Sequence, residues 1–289
     1  MNIQKWLTEN TVSLTGKTVA ITGATGGIGQ ELCEYLALLG AKLILLDRNT
    51  EKSSALQEKL MKRHPDLSVD RIRLDLEDTS LVKTVSEKLC GLPIDILILN
   101  AGAYSKPRHK CETGLDNVFQ INFLSPYYIA RELLPLLRKR NGKIVAVGSI
   151  AHNYSRTDKE DIDFSSRKKS SLVYGNAKRY LMFSLYGLCG GKNLSIVHPG
   201  ITFTNITAHY PKLVFALIKH PMKIIFMKPK KAALSIIKGI FDSCQKNEWI
   251  GPNIFNIWGL PKKQKLFTCT EAECAEICKN ADILYRKMK

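Results

Sequence analysis

Two side chains that could share a proton stand one helical turn apart in SLVYGNAKRYLMF, residues 171–183: Tyr174 and Lys178. Residues four apart on a helix lie on one face, so a phenol and an ammonium would sit together. A free tyrosine titrates near ~10, too high for easy proton exchange at neutral pH. A neighbouring positive charge favours the phenolate. The pair therefore has the makings of an acid–base centre. Tyrosine four residues before lysine also occurs by chance on ordinary helix surfaces, so the surrounding elements must decide.

A second chemical signal is ITGATGGIGQEL, residues 21–32, with glycines at 23, 26, 27 and 29. Glycine permits a tight turn and lets backbone approach a pyrophosphate closely. A helix N-terminus following it offers unbonded N–H groups and the positive end of a dipole. Asp47 comes eighteen residues after Gly29. A carboxylate there can accept from both hydroxyls of an adenosine ribose. Arg48 follows at once and suits a 2′-phosphate instead. Taken singly, the glycine stretch reads equally as a loop and Asp47 as a turn residue.

The elements around these residues alternate. Apolar runs at 17–22, 42–47, 69–76, 94–100, 142–149 and 194–200 read as strands; 27–40, 49–64, 80–90, 114–140 and 171–188 read as helices, the second capped by Asn49 or Thr50. Such alternation with continuously apolar strands predicts a parallel sheet covered on both faces, a doubly wound Rossmann-type α/β domain. Ligands of such sheets lie beyond the carboxyl ends of the strands. Both chemical signals fall on that edge.

Taken together, TGATGGIG, NAG at 100–102, GS at 148–149, YGNAK and HPG at 198–200 resemble the short-chain dehydrogenase/reductase family. The motifs run in order over about residues 15–205. The glycine spacing is Gly-x-x-x-Gly-x-Gly, as in that family. The resemblance implies hydride transfer between a nicotinamide and an alcohol or carbonyl. It makes Asn122, Ser149, Tyr174 and Lys178 the catalytic set. Tyr174 would exchange the proton, Ser149 would hold the substrate oxygen, and Lys178 would bond the nicotinamide ribose. Asn122 would kink its helix and hold a water that relays protons to Lys178. The small neighbours Gly175 and Ala177 would keep Tyr174 open to a ligand.

For the cofactor, the resemblance implies contacts from Thr22, Gly23, Thr25, Gly26, Gly27, Ile28 and Gly29 in the glycine turn. It adds Asp47 and Arg48 at the ribose, Asp75 and Leu76 at the adenine, and Asn100, Ala101 and Gly102 behind the adenosine. Tyr174, Lys178, Pro199, Gly200 and Thr204 would serve the nicotinamide end. Asp47, with no Arg or Lys inside the glycine turn, tilts the expectation toward NAD; Arg48 keeps NADP open. His198 reads as a packed strand-end histidine.

The 25-residue separation of Ser149 and Tyr174, with His152 and Asp163 between them, is similar to the retinol dehydrogenase-type branch. Eukaryotic members of that branch carry an N-terminal membrane anchor, and none is expected here. The start lacks the apolar core of a signal peptide, and no apolar run approaches the ~18 residues of a span. A cytoplasmic protein is expected, with peripheral membrane contact as an option. The eight scattered cysteines then read as free thiols. Those at 269, 274 and 278 lack the spacing of a metal site.

Net charge is +17, and from Phe164 to Phe241 there is no Asp or Glu among thirteen Lys and Arg. Such a field attracts anions. Aromatic residues are not interleaved with it as in nucleic-acid-binding modules, so no nucleic acid is expected. An acidic small-molecule substrate, an anionic bilayer and a bare solvated face remain. Residues 205–230, apolar and basic, are expected to form a substrate lid over a bulky apolar substrate, retinoid-, steroid- or lipid-like, or one bearing an acid group. Residues 231–289 complete the single domain, and a homo-oligomer is compatible with the chain. The competing reading is a nicotinamide-binding regulator, or a basic membrane-surface binder, with little turnover.

Overall fold

A computed structural model describes residues 3–104, 107–202 and 226–289. Their elements in chain order are α1 (Ile3–Asn10), β1 (Thr18–Thr22), α2 (Gly27–Leu38), β2 (Lys42–Asp47), α3 (Thr50–Arg63), β3 (Val69–Arg73), α4 (Thr79–Cys90) and β4 (Ile96–Leu99). There follow a short turn of helix α5 (Asn117–Phe119), a π-helical stretch (Gln120–Leu124), α6 (Ser125–Lys139), β5 (Lys143–Val147), a 3₁₀ turn (Ile150–Asn153), α7 (Ser170–Cys189) and β6 (Leu194–Val197). The chain closes with α8 (Pro229–Phe241), β7 (Glu248–Ile254), β8 (Trp258–Lys265) and α9 (Glu271–Met288).

The eight strands form one sheet in the order β3-β2-β1-β4-β5-β6-β7-β8. The first seven run parallel, and β8 pairs antiparallel with β7. Strand side chains alternate between faces, and the apolar runs therefore feed two cores. Val19, Ile21, Leu43, Leu45, Ile98 and Val145 pack under the face carrying α1, α2 and α8. Ala20, Ile44, Leu97, Leu99, Ile144 and Ile196 pack under the face carrying α4, α6, α7 and α9. The sheet is the doubly wound α/β arrangement the alternation predicts.

The structure departs from the sequence reading in three places. The helix expected over 114–140 begins at Asn117 and is broken by the π-helical stretch around Asn122. The Asn122 side-chain amide donates to the Val118 carbonyl, its i−4 acceptor, at 2.8 Å. That competes with the backbone ladder and favours a local bulge. The β7–β8 hairpin adds an antiparallel edge that strand–helix alternation did not signal. Helix α1, its Trp6 and Leu7 buried, lies outside every motif. The expected lid (205–230) falls almost wholly outside the described residues, as does Thr204. Its flanks meet: Thr202 bridges to Met227, and the Met227 N–H donates to the Ile201 carbonyl at 2.8 Å.

Candidate active site

A cleft of about 470 Å³ opens at the carboxyl ends of β1, β2, β3 and β4. Thr22, Gly23, Thr25, Gly26, Gly27, Ile28 and Gly29 line one side; Asp47 and Arg48, Asp75 and Leu76, and Asn100, Ala101 and Gly102 line the rest. Those fourteen residues come from four separate strand ends. Asn49, Lys52 and Tyr104 also border the cleft and were not singled out from the sequence. Their signal was topological: Asn49 caps the helix after Arg48, Lys52 lies in its first turn, and Tyr104 lies two residues past Gly102.

The glycine turn is shaped by contacts that exclude side chains. Gly23 has φ +68°, a backbone state that favours glycine. A Cβ on Gly29 would stand 2.4 Å from the Gly23 carbonyl oxygen and 2.6 Å from that of Ala24, so α2 presses directly onto the turn. Gly26 caps α2 without any side-chain bond, and the first turn carries no acid. Its leading N–H groups thus face the cleft end of the helix unneutralised, an arrangement suited to phosphate. Asn100 holds the far wall: its amide donates to the carbonyls of Thr22 (3.1 Å) and Gly23 (3.0 Å). The Thr22 hydroxyl in turn accepts the N–H groups of Asn100 and Ala101, both at 3.0 Å.

Asp47 differs from the sequence picture. Its Oδ1 already accepts the N–H (3.0 Å) and hydroxyl (2.9 Å) of Thr25, and its Oδ2 the hydroxyl of Ser53 (3.2 Å). Burial raises its pKa, against those hydrogen bonds. Arg48 is exposed and reaches Glu77 only at 4.0 Å.

The four expected catalytic residues converge beside the cleft. Ser149 follows β5 and caps the 3₁₀ turn, its hydroxyl accepting the Ala151 N–H at 3.1 Å. The Tyr174 phenol faces the same hydroxyl, which acts to lower the phenol's pKa. Tyr104 meets the Tyr174 ring edge-on at 5.0 Å. Lys178 is 2% exposed, donates to the Val147 carbonyl at 2.9 Å, and lies 5.8 Å from the Tyr174 ring centre. The Asn122 amide holds Ala103 on both sides, donating to its carbonyl (2.7 Å) and accepting its N–H (3.2 Å). A Cβ on Gly102 would lie 2.8 Å from Asn122 Oδ1 and 3.6 Å from Lys178 Nζ, so the cleft wall and the expected catalytic set adjoin.

Two expectations need correction. Burial pushes Tyr174 up to about 12, outweighing the nearby Ser149 hydroxyl that lowers it, while burial pushes Lys178 down to about 8. In the protein alone desolvation thus dominates both groups, and the phenol stays protonated. Gly175 is small for a different reason from ligand access. A Cβ there would stand 2.4 Å from the Ala151 carbonyl oxygen, so glycine lets α7 pack onto the Ser149 turn.

Pro199 and Gly200 lie at the carboxyl end of β6, on the same sheet edge but outside the cleft lining. Gly200, with φ +80°, packs on the Ile257 carbonyl. His198 is buried and stacked on Trp249 at 5.3 Å, a packed histidine as the sequence suggested. Asp163 is structural as well: its carboxylate accepts the N–H groups of Asp116 (2.7 Å) and Ser165 (3.1 Å). The Cys274 and Cys278 thiols donate to the Phe183 carbonyl at 3.9 and 3.8 Å, and neither they nor Cys269 form a disulfide. Among the described residues no helix is long and apolar enough to cross a membrane.

Residues 17–159 match the family model for short chain dehydrogenases. The chain is 30% identical over 210 residues to short-chain dehydrogenase TIC 32 A of Brassica napus, a chloroplastic protein, covering 66% of each chain. It is 30% identical over 206 residues to mouse retinol dehydrogenase 12, covering 68% of this chain and 65% of that one. It thus spans about two thirds of the length of these curated relatives. Among solved structures, an uncharacterised protein from Mycobacterium paratuberculosis aligns with TM-score 0.73 at 24% identity, over 96% of both chains. A 3-oxoacyl (acyl-carrier-protein) reductase from Agrobacterium tumefaciens C58 with NADP bound aligns with TM-score 0.61 at 20% identity, over 79% of this chain and 88% of that one. The structural likenesses carry the fold, the sequence matches carry the kinship, and the chain belongs to the short-chain dehydrogenase/reductase family.

Proposed function

We propose that this protein is a nicotinamide-dependent oxidoreductase of the retinol dehydrogenase-like branch, interconverting an alcohol and its carbonyl. The supporting observation is the convergence of Ser149, Tyr174 and a buried Lys178, its Nζ 5.8 Å from the Tyr174 ring centre, directly against the Gly102 wall of the glycine-lined cleft. The residues fit a dinucleotide: an uncapped helix start, a turn closed to side chains, and a Gly102 wall within reach of Lys178. When bound there, the nicotinamide supplies or accepts the hydride. Ser149 and Tyr174 hold the substrate oxygen between two hydroxyls. A phenol kept protonated is ready to donate to a carbonyl oxygen as the carbinol forms. Lys178, poised near about 8, changes charge close to working pH and can restore the proton to Tyr174. Asn122 keeps the 100–103 wall fixed against α5 and is the candidate holder of a relay water.

The cofactor residues keep the roles the family implies, with one change of weight. Asp47 is engaged by Thr25 and Ser53, whereas Arg48 and Lys52 border the same end of the cleft with positive charge. That supports NADP(H) as at least the equal of NAD(H), against the sequence-based tilt to NAD. The substrate reading, a bulky apolar molecule with or without an acid group, rests on the apolar, acid-free stretch around the lid. Peripheral contact with an anionic bilayer and a cytoplasmic location belong to the same proposal.

The test is a spectrophotometric screen of aldehydes, ketones and alcohols, including retinoids, steroids and fatty-chain carbonyls, against both nicotinamides. Consumption of reduced cofactor with at least one apolar carbonyl is expected. Tight nucleotide binding without turnover on any of them would favour the regulatory reading.

A further inference from the structure

The backbone that presents Ser149 is gripped at three carbonyls. Lys178 donates to the Val147 carbonyl at 2.9 Å. Arg179, its neighbour on α7, donates to the His152 carbonyl at 3.1 Å. Between them His152 Nδ1 bonds to the carbonyl of Ser149 itself at 2.5 Å. A carbonyl only accepts, so Nδ1 carries the proton. The imidazole being neutral, Nε2 is then an acceptor, and the Thr268 hydroxyl 2.8 Å away is its donor. The ring is fully buried and meets Trp249 edge-on at 5.6 Å and Phe183 at 6.1 Å, which fixes its plane.

Thr268 is itself pinned. Its carbonyl accepts from Arg179 and Arg156, both at 2.5 Å. Arg179 is 1% exposed, and its charge is met by a two-pronged pair with Glu273 in the first turn of α9, at 2.6 and 2.5 Å. Burying a guanidinium is costly unless it is paired and its donors are satisfied. Here every hydrogen bond it donates converges on the Ser149 turn or on Thr268–Glu273. Although burial pushes the Glu273 carboxyl up, its bonds to Arg179 hold it down to about 2. The linkage joins segments 116 positions apart.

We infer that His152 is a positioning residue for Ser149, and that the C-terminal segment Thr268–Glu273 sets the reactive geometry through it. The inference rests on the reading of Ser149 as the hydroxyl that holds the substrate oxygen. His152 touches neither substrate nor cofactor. It fixes the Ser149 carbonyl, hence the peptide that aims the hydroxyl at Tyr174. The Thr268 donation keeps the imidazole in the tautomer that can do so.

The discriminating variants are His152→Asn, His152→Gln and Thr268→Val, compared by kcat, KM and the nucleotide Kd from fluorescence titration. An Asn amide nitrogen takes the place of Nδ1 and can still donate to Ser149; a Gln amide reaches the place of Nε2 and cannot. His152→Gln is expected to lose ~10–100-fold in kcat, the scale of a small misplacement of a reacting group. His152→Asn should recover to within a few-fold of wild type. Thr268→Val, at a half-buried position that tolerates the change, should lose several-fold. The nucleotide Kd should hold within about twofold throughout. Equal loss in the Asn and Gln variants, or no loss in any, overturns the inference. So does a kcat loss tracked by weaker nucleotide binding. The tautomer has a readout independent of turnover: long-range ¹H–¹⁵N correlation should show His152 neutral with the proton on Nδ1. A proton on Nε2 overturns the inference even in an enzyme that turns over. A wild type inactive on every carbonyl, but with Nδ1 protonated, leaves the hydrogen-bond relay standing and removes the reading of Ser149.

Discussion

The proposed cofactor cleft and the proposed catalytic set beside it are built by different means. The cleft side, residues 22–102, is made mostly of backbone. Its features are a glycine turn with no room for a side chain at Gly23 or Gly29, an uncapped helix start, and strand ends tied by Thr22 and Asn100. The catalytic side is made of buried polar side chains whose partners arrive from remote parts of the chain. Lys178 reaches Val147, and Arg179 reaches His152, Thr268 and Glu273. The first kind of site fails when bulk is added. The second fails when a partner is removed, however distant.

That contrast gives its largest effect at Gly29. An added Cβ must displace two carbonyl oxygens at 2.4 and 2.6 Å, backbone that cannot yield without opening the turn. Overpacking of this kind costs roughly 1–3 kcal/mol. Gly29→Ala should therefore weaken nucleotide binding about 5- to 150-fold in fluorescence titration, in proportion to that cost. Retention of wild-type affinity would show that the turn is not the nucleotide cradle. A smaller effect is expected at the ribose end. Arg48→Ala should weaken NADPH binding about tenfold, the scale of a charge-assisted hydrogen bond, and leave NADH within twofold. An equal effect on the two nucleotides would return the preference to Asp47.

How far the sequence could be read follows the same division. The glycine turn, Asp47–Arg48, Asp75 and Asn100–Gly102 each lie next to their strand in the chain. Local pattern alone placed the glycine turn and Asp47–Arg48 at one edge, whereas Asp75 and Asn100–Gly102 came from the family resemblance. Tyr174 and Lys178 were legible because they share a single helix. Ser149 required family resemblance, since nothing local marks a serine at the end of a strand. The Arg179–Glu273 pair and the Thr268–His152 bond were invisible, because no pattern in one segment encodes a partner 90 or more positions away. Even the visible pair was misjudged in its energetics. The effect of a nearby ammonium on Tyr174 was foreseen, but the desolvation that overrides it depends on how completely α7 is covered.

The smallest expected effect concerns stability. Burial holds His152 and His198 down to about 4, so both are neutral in the folded protein near pH 6. The unfolded chain binds those protons from about 6.5 downward. Stability therefore falls as pH drops from about 6.5 to about 4, where the unfolded state carries the extra protons. Glu273, held down to about 2, adds loss of the same sign below its ordinary range. His198→Phe, which keeps the stack on Trp249, should flatten the decline of Tm over that window by a measurable part. An unchanged slope would mean that His198 is already charged when folded.

The proposed function requires that one cleft bind the nicotinamide and that Tyr174 deliver the proton. A single-turnover reaction with reduced cofactor carrying deuterium at the transferred position tests it directly. The wild type should place the label on the carbinol carbon of the product. Tyr174→Phe should slow that transfer on the order of 10²–10⁴-fold, as for loss of a general acid, with nucleotide Kd unchanged within about twofold. Transfer at a near-wild-type rate in Tyr174→Phe, or a product without the label, would contradict the account.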